Sequence, residues 1–185
     1  MINQATQTEL MLKVAKGDQL AFRELARALS QRMFNLAYRL LGTRRSQAED
    51  AVQEALLKLW RTAPNWRPDA PVTAYASRLV YTSCMDIHRK QKPTEELPEE
   101  LAAPDTILDE MVAQNQRRVL LTTVDKLPDR QRQAILLHYM GEHSQRDVAS
   151  ILGTTEKAVE RLLARARINL RELLPISLKE GGYLS

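Results

Sequence analysis

The stretch SQRDVASILGTTEKAVERLLARAR, Ser144–Arg167, contains two helical patterns separated by a Gly-Thr-Thr turn. Ser144 and Asp147 have the spacing of a capping box, in which each side chain satisfies an exposed amide of the other residue. The second helix is predicted from about Glu156 to Leu174, with a threonine of the turn as its N-cap. Two helices joined by a short glycine-containing turn form a helix-turn-helix, so this stretch indicates DNA binding.

The second predicted helix has two opposite faces. At 100° per residue, its apolar side chains fall within about 100° of arc; they are Val159, Leu162, Leu163, Ala166, Leu170 and Leu173. The opposite face is basic and carries Lys157, Arg161, Ala164, Arg165 and Ile168. Arginine can donate two hydrogen bonds to a guanine edge, and a small residue such as Ala164 allows close approach. The alternative is an ordinary basic helical hairpin.

The composition predicts an all-helical protein. Aromatic residues make up 5% of the chain and there are six glycines, which argues against a β-rich fold. The single cysteine, Cys84, excludes an internal disulfide and a cysteine-rich zinc site. No apolar run approaches the roughly 20 residues that span a bilayer, and the N-terminal residues lack the pattern of a signal peptide. We expect a cytoplasmic protein without membrane insertion.

The charge is unevenly distributed along the chain. Seven acidic residues and no basic residue lie between Glu95 and Glu110. Outside this stretch 27 basic residues stand against 16 acidic ones, a net charge of +11 rather than the overall +4. A basic body with a segregated acidic stretch favours a polyanionic partner. The alternative is a solvated charged surface.

The sequence divides into three segments. Residues 1–91 and 113–185 have helical patterns, so we predict two small helical domains. Residues 92–112 contain Pro93, Pro98 and Pro104 together with the acidic residues, which is the composition of a flexible linker. There is no internal repeat, no sustained strand alternation and no cluster of metal-ligating residues. We therefore expect neither a metal nor a cofactor.

In the first segment, turn and capping residues predict the helix boundaries. Gly17 ends a short helix and Asp18 caps the next. A separate helix is predicted over about Gln31–Leu41. Ser46 and Glu49 have capping-box spacing and are predicted to open a helix that runs to a proline-rich loop.

The last helix of this segment is predicted from Val72 to about Gln91. Its core face contains Val72, Ala76, Leu79, Val80 and Ile87. A second stripe contains Arg78, Thr82, Met85 and Arg89, with Tyr81 exposed beside it. Aromatic rings stack on bases while cations follow the phosphate backbone, so this stripe is suited to single-stranded DNA. The alternative is an ordinary amphipathic helix with basic residues near its C-terminus.

Three blocks together resemble the extracytoplasmic-function (ECF) sigma factors of bacterial RNA polymerase. AEDAVQEALLKLW from Ala48 is similar to that family's polymerase-binding motif, and DAPVTAYASRLVYTSCMDIHRK from Asp69 to its promoter-melting helix. LPDRQRQAILLHYMGEHSQRDVASILGTTEKAVERLLARAR from Leu127 resembles its helix-turn-helix domain. The resemblance implies a protein that performs no chemistry, binds core RNA polymerase and directs promoter-specific initiation. The alternatives are a stand-alone helix-turn-helix regulator and an interaction protein that occupies polymerase.

The resemblance also implies partners and contact residues. Four polar residues would bind the polymerase β′ coiled coil, namely Glu49, Asp50, Gln53 and Glu54. The alternative is that these residues are ordinary solvated helix surface. The minus-ten element would be contacted by Asn65, Trp66, Arg67, Arg78, Tyr81, Thr82 and Arg89. The minus-thirty-five element would be contacted by Lys157, Glu160, Arg161, Ala164 and Arg165. The polymerase β flap and an anti-sigma factor are further implied partners.

Two departures from the family pattern bear on DNA specificity. Members commonly have Arg-Asn at the place of Tyr81-Thr82, so base preference there is open. Glu160 stands where many members have a basic or small residue, and an acid accepts from cytosine but repels phosphate. Within the loop, Trp66 has a second interpretation as a core residue that anchors the chain.

Overall fold

The computed structural model describes residues 3–42, 44–90 and 118–174. Its elements are α1 (Gln4–Val14), α2 (Gln19–Leu40), α3 (Arg45–Thr62), a 3-10 turn (Ala63–Asn65), α4 (Val72–Lys90), α5 (118–124), α6 (Asp129–Ile135), a π-helical turn (Leu136–Met140), α7 (Gln145–Leu152) and α8 (Glu156–Leu173). They form two compact units, the first with α1–α4 and the second with α5–α8. No strand occurs in these three ranges, and the all-α, two-domain prediction is confirmed. The predicted linker 92–112 lies outside the described residues.

The α1–α2 turn follows the sequence prediction. Gly17 has a φ of +87°, a conformation that glycine adopts without the steric cost of a Cβ. The Asp18 carboxylate then accepts hydrogen bonds from the backbone amides of Leu20 at 2.9 Å and Ala21 at 3.0 Å. These two bonds satisfy amides that have no partner within the helix and fix the start of α2.

The predicted break within α2 is wrong, because α2 is one helix of 22 residues. The segment has no glycine or proline that would interrupt it. Ser30 donates a hydrogen bond from its hydroxyl to the Ala26 carbonyl at 2.6 Å, so its polar group is satisfied inside the helix. Leu29 and Met33 are 2% exposed, which shows that one buried stripe continues through the predicted break.

The predicted capping box at Ser46 and Glu49 is also wrong. The N-cap of α3 is Arg44, which makes no capping bond with its side chain. The Ala48 amide already closes the first turn on the Arg44 carbonyl at 3.0 Å, so Ser46 lies inside the helix. Glu49 instead accepts from Arg45 Nε at 3.0 Å, as an i,i+4 pair on the helix surface.

The core of the first unit lies between α1, α2, α3 and α4. Three alanines of α3, Ala48, Ala51 and Ala55, are completely buried, and their small side chains let neighbouring helices approach closely. Phe22 on α2 meets Trp60 on α3 edge to face, with ring centroids 5.1 Å apart. The first unit is therefore a closely packed helical bundle.

α4 is buried on more than the single face that its periodicity predicted. Val72, Ala76 and Val80 are buried as predicted, whereas Leu79 and Ile87 are only partly covered. The additional buried side chains are Ala74, Ser77, Tyr81, Ser83 and Cys84. α4 packs against α1, α2 and α3, so neighbours cover it from several directions. Burial raises the pKa of the Cys84 thiol to about 12, which keeps it protonated and unreactive.

The second unit begins its helix-turn-helix as the sequence predicted. Ser144 Oγ accepts from the Asp147 amide at 3.1 Å, and the Ser144 amide donates to Asp147 Oδ2 at 3.3 Å, which confirms the capping box. Gly153 ends α7 in the left-handed conformation, with a φ of +62°. Thr155 Oγ1 then accepts from the Ala158 amide at 3.2 Å and caps α8.

Candidate nucleic-acid interface

The outer face of α8 is exposed to solvent and carries three basic side chains, those of Lys157, Arg161 and Arg165. Its predicted DNA-contacting residues are all exposed, namely Lys157, Glu160, Arg161, Ala164 and Arg165. Val159, Leu163 and Leu170 on the opposite face are at most 1% exposed and hold the helix against α6 and α7. Leu173, predicted on the apolar face, is 48% exposed because it lies in the last turn of α8. Apart from Leu173, α8 turns its apolar side inward and its basic side to solvent.

A groove of about 400 Å³ lies beside this face, at the turn between α7 and α8. Arg161 and Arg165 line it from α8, and Arg130 lines it from α6. The sequence predictions missed Arg130, which lies 14 residues before Ser144, the N-cap of α7. No local signal could have found it, because only the packing of α6 on α8 brings it to the groove.

The second predicted DNA stripe, on α4, is only partly exposed. Arg78, Thr82 and Arg89 are on the surface. The predicted exposure of Tyr81 is wrong, because its side chain is 8% exposed. The packing of α4 against three neighbouring helices covers this ring and leaves no open aromatic face for a stacked base.

Asp86 connects this stripe of α4 to α3. Lys58 Nζ on α3 donates to Asp86 Oδ2 and to Ser83 Oγ, each at 3.2 Å. Arg89 donates to Asp86 Oδ1 at 2.8 Å. The hydrogen bond from Lys58 holds the pKa of the Asp86 carboxyl below its ordinary value of 3.8, with the positive charge of Arg89 acting in the same direction. Arg89 is therefore oriented by a carboxylate on its own helix.

We expect Asp86→Asn to lower the free energy of unfolding of the first unit by about 0.5–1 kcal/mol at pH 7, because this ion pair is partly exposed. The pKa of the Asp86 carboxyl is lower in the folded protein than in the unfolded chain, so the ionised carboxylate stabilises the fold above pH 3.8. This stabilisation is lost as the pH falls through the pKa of the folded protein. The difference between variant and wild type should therefore shrink as the solution is acidified below 3.8. Both tryptophans of the chain, Trp60 and Trp66, lie in the first unit, so tryptophan fluorescence in urea reports its unfolding.

Asp129→Asn is the matched control for this experiment. It removes an i,i+3 ion pair with Arg132 at 2.9 Å in the second unit. Its tryptophan-detected transition should equal that of the wild type at every pH. A pH-independent difference for Asp86→Asn would contradict the assigned role of its carboxylate.

The loop before α4 divides into an exposed part and a buried part. Asn65 and Arg67 are exposed, whereas Trp66 between them is 9% exposed. The Trp66 indole Nε1 is buried and meets no hydrogen-bond partner among the described residues. This placement favours the interpretation of Trp66 as an anchor that holds the loop on the bundle.

The polar face of α3 is open to solvent. It presents the four residues predicted to meet polymerase, namely Glu49, Asp50, Gln53 and Glu54. Glu49 is paired with Arg45. The buried alanines lie on the other side of α3, so these four polar side chains are not part of the core.

Among residues 3–42, 44–90 and 118–174, no group of three or more histidine, cysteine, aspartate or glutamate side chains is placed to hold a metal ion. None of the helices in those ranges has both the length and the apolar character needed to cross a membrane.

Comparison with known proteins defines the class of the chain. The Sigma-70 region 2 family model matches residues 25–94, and the Sigma-70, region 4 model matches residues 117–170. Regions 2 and 4 in this order define a sigma factor of the sigma-70 type.

Curated relatives narrow this class to one family. The chain is 33% identical over 185 residues to ECF RNA polymerase sigma factor SigM of Mycobacterium tuberculosis, covering 99% of this chain and 88% of the relative. It is 27% identical to ECF RNA polymerase sigma factor SigW of Bacillus subtilis, covering 90% and 98% of the two chains. The chain belongs to the ECF RNA polymerase sigma factors.

Solved structures have the same helical fold. CnrH in complex with the cytosolic domain of CnrY matches with a TM-score of 0.64 and 25% identity, covering 91% of this chain and 96% of that one. The sigma factor RpoE of Bartonella quintana, solved with the anti-sigma factor NepR, matches with a TM-score of 0.59 and 22% identity over 83% and 96%. The second likeness concerns the fold only.

Proposed function

We propose that this ECF sigma factor binds core RNA polymerase and directs it to specific promoters. The observation that carries the proposal is the presence of sigma regions 2 and 4, in order, in one chain that is 33% identical to SigM over nearly its full length. The exposed basic face of α8 and the exposed polar face of α3 supply surfaces for DNA and for a protein partner. No catalytic step is assigned to the chain, and its place of action is the cytoplasm, where polymerase works.

Each of the two units has its own partners. Residues 1–91 hold the β′ coiled coil through α3 and contact the minus-ten element through the loop and α4. Residues 113–185 contact the β flap and place α8 in the major groove of the minus-thirty-five element. Residues 92–112 tether them. Because both DNA sites are engaged through one polymerase, neither unit needs to bind DNA tightly alone.

An anti-sigma factor is proposed as a regulatory partner. CnrH, which is 25% identical to this chain, was solved in complex with the cytosolic domain of CnrY, and RpoE was solved in complex with the anti-sigma factor NepR. A regulator that covers the α3 face or the α8 face would block polymerase or promoter binding. Two measurements would test this partner: co-purification of this chain with a candidate regulator, and displacement of that regulator by core polymerase.

Run-off transcription with purified core enzyme tests the central function. A library of random upstream sequences is transcribed with and without the protein, and the transcripts are sequenced. Initiation at a common pair of sequence elements supports the sigma function. If the chain is a stand-alone regulator, it will shift promoter DNA in a gel without polymerase and will produce no new start site. If it is a protein that only occupies polymerase, it will bind core enzyme without promoter preference.

We expect Asp50→Ala to weaken binding to core polymerase by tenfold or more, about 1.4 kcal/mol, while promoter choice is unchanged. Asp50 is exposed on the α3 face, where a carboxylate lost from an interface leaves its basic partner unpaired. Glu24→Ala, which removes an exposed acid from α2, is the matched control and should bind as the wild type. Equal affinities of Asp50→Ala and wild type in competition binding would remove Asp50 from the interface.

A further inference from the structure

The groove beside α8 is lined by charge of one sign. Arg130, Arg161 and Arg165 surround it, together with Leu152, Leu162 and the turn at Gly153 and Thr154. No acidic side chain is part of the lining. The groove therefore has three arginines and no acidic residue among its lining residues, a composition that suits an anion.

Arg130 is held at this groove by the end of α7. Its Nη1 donates to the Leu152 carbonyl oxygen at 3.3 Å. Leu152 is the last residue of α7. The final carbonyl oxygens of a helix accept no hydrogen bond from within it and carry its partial negative charge. A guanidinium has five N–H donors, so this bond leaves others for a ligand.

Arg161 and Arg165 are one helical turn apart on the exposed face of α8. Like charges at i and i+4 repel one another, so the pair costs some helix stability. Within residues 118–174, no carboxylate forms an ion pair with Arg130, Arg161 or Arg165. A bound anion would remove this repulsion.

We propose that this groove binds a phosphate of the duplex backbone, and that Arg130 is a phosphate-contacting residue of the minus-thirty-five interface. The inference rests on the proposed function because it places α8 in the major groove. A helix in a groove about 12 Å wide is flanked by phosphates on both sides, so a basic residue beside the helix meets the backbone. Guanidinium groups bind phosphate oxygens through two parallel hydrogen bonds.

The role of Arg130 differs from that predicted for Arg165. Phosphate contacts are the same for every sequence, whereas base contacts discriminate between sequences. Removal of the Arg130 charge should weaken binding to all duplexes equally, and Arg165→Ala should weaken binding to the preferred duplex most.

The test measures binding of the full chain to fluorescent duplexes by anisotropy between 50 and 200 mM salt, with random-sequence and selected promoter DNA. We expect Arg130→Gln to reduce the slope of log K against log salt by about 0.9, the value for one phosphate contact. Over this fourfold range the wild type then loses about 3.5-fold more affinity than the variant. Arg130→Lys keeps the charge and should retain the wild-type slope.

Arg23→Gln removes an exposed arginine of α2 and is the matched control, with no expected change in slope. An unchanged slope for Arg130→Gln, or no duplex binding by the wild type at 50 mM salt, overturns the proposal. A loss confined to one sequence also overturns it, because that would be a base contact. Thermal unfolding verifies that Arg130→Gln is folded. Arg130→Lys keeps the positive charge, so it distinguishes an effect of the charge from an effect of the hydrogen bond to the Leu152 carbonyl.

The result of this salt-dependence experiment can be distinguished from the result of the transcription assay. If core polymerase shows no promoter-specific start while Arg130→Gln still lowers the salt slope, the sigma function fails and the phosphate groove stands. If transcription is promoter-specific and the slope is unchanged, the sigma function stands and the groove proposal fails.

Discussion

Trp66→Ala is expected to lower the free energy of unfolding of the first unit by about 3–5 kcal/mol. Trp66 is 9% exposed although it lies in a loop, so its truncation leaves a cavity and removes the loop's anchor. Urea denaturation followed by the fluorescence of Trp60 measures this loss, because Trp60 is then the only tryptophan in the chain. Such an effect would approach the whole stability of a small domain.

Trp66→Phe separates the packing role from a role in DNA binding. It keeps an aromatic ring and removes the indole N–H, which has no partner among the described residues. We expect a loss below about 1.5 kcal/mol, with promoter opening retained. If Trp66→Ala costs less than about 0.5 kcal/mol, the anchor interpretation is wrong. If Trp66→Phe is stable but fails to open promoters, the indole contacts DNA.

The second large effect is expected for Leu163→Ala on α8. Leu163 is 1% exposed, and its truncation should lower the free energy of unfolding of the second unit by about 2–5 kcal/mol. The same helix carries the predicted DNA-contacting residues, so binding to the upstream element should be lost with the fold. Hydrogen exchange of the α8 amides reports this unit separately from the tryptophans of the first.

Leu173→Ala is the matched control for this prediction. It makes the same chemical change on the same helix at a residue that is 48% exposed, where the effect should stay within about 0.5 kcal/mol. Under the proposed function, Leu163→Ala should still bind core polymerase through α3. Equal destabilisation by the two substitutions would mean that Leu163 is not part of the core of this unit.

The parts of the fold that depend on residues close together in the sequence were predictable from the sequence. The capping box at Ser144, the left-handed Gly153 and the cap at Thr155 each involve hydrogen bonds or dihedral angles within one turn of chain. The two faces of α8 follow from the 3.6-residue period. The order of the three family blocks likewise needs only the sequence.

Other features required the tertiary structure, because burial depends on which helices pack together. Tyr81 lies on a face that the period left exposed, and the packing of α4 against three helices covers it. The same packing brings Lys58 to Asp86, 28 residues away along the chain.

The separation between local and long-range information is clearest at α8. The sequence by itself determined that a capped, two-faced helix follows a tight turn, since every interaction involved lies within a few residues. Only the tertiary structure decided that Arg130 joins Arg161 and Arg165 around one groove, because no local hydrogen bond or periodicity relates α6 to α8. Their packing is set by the shared core in which Ala134 and Ala166 are completely buried.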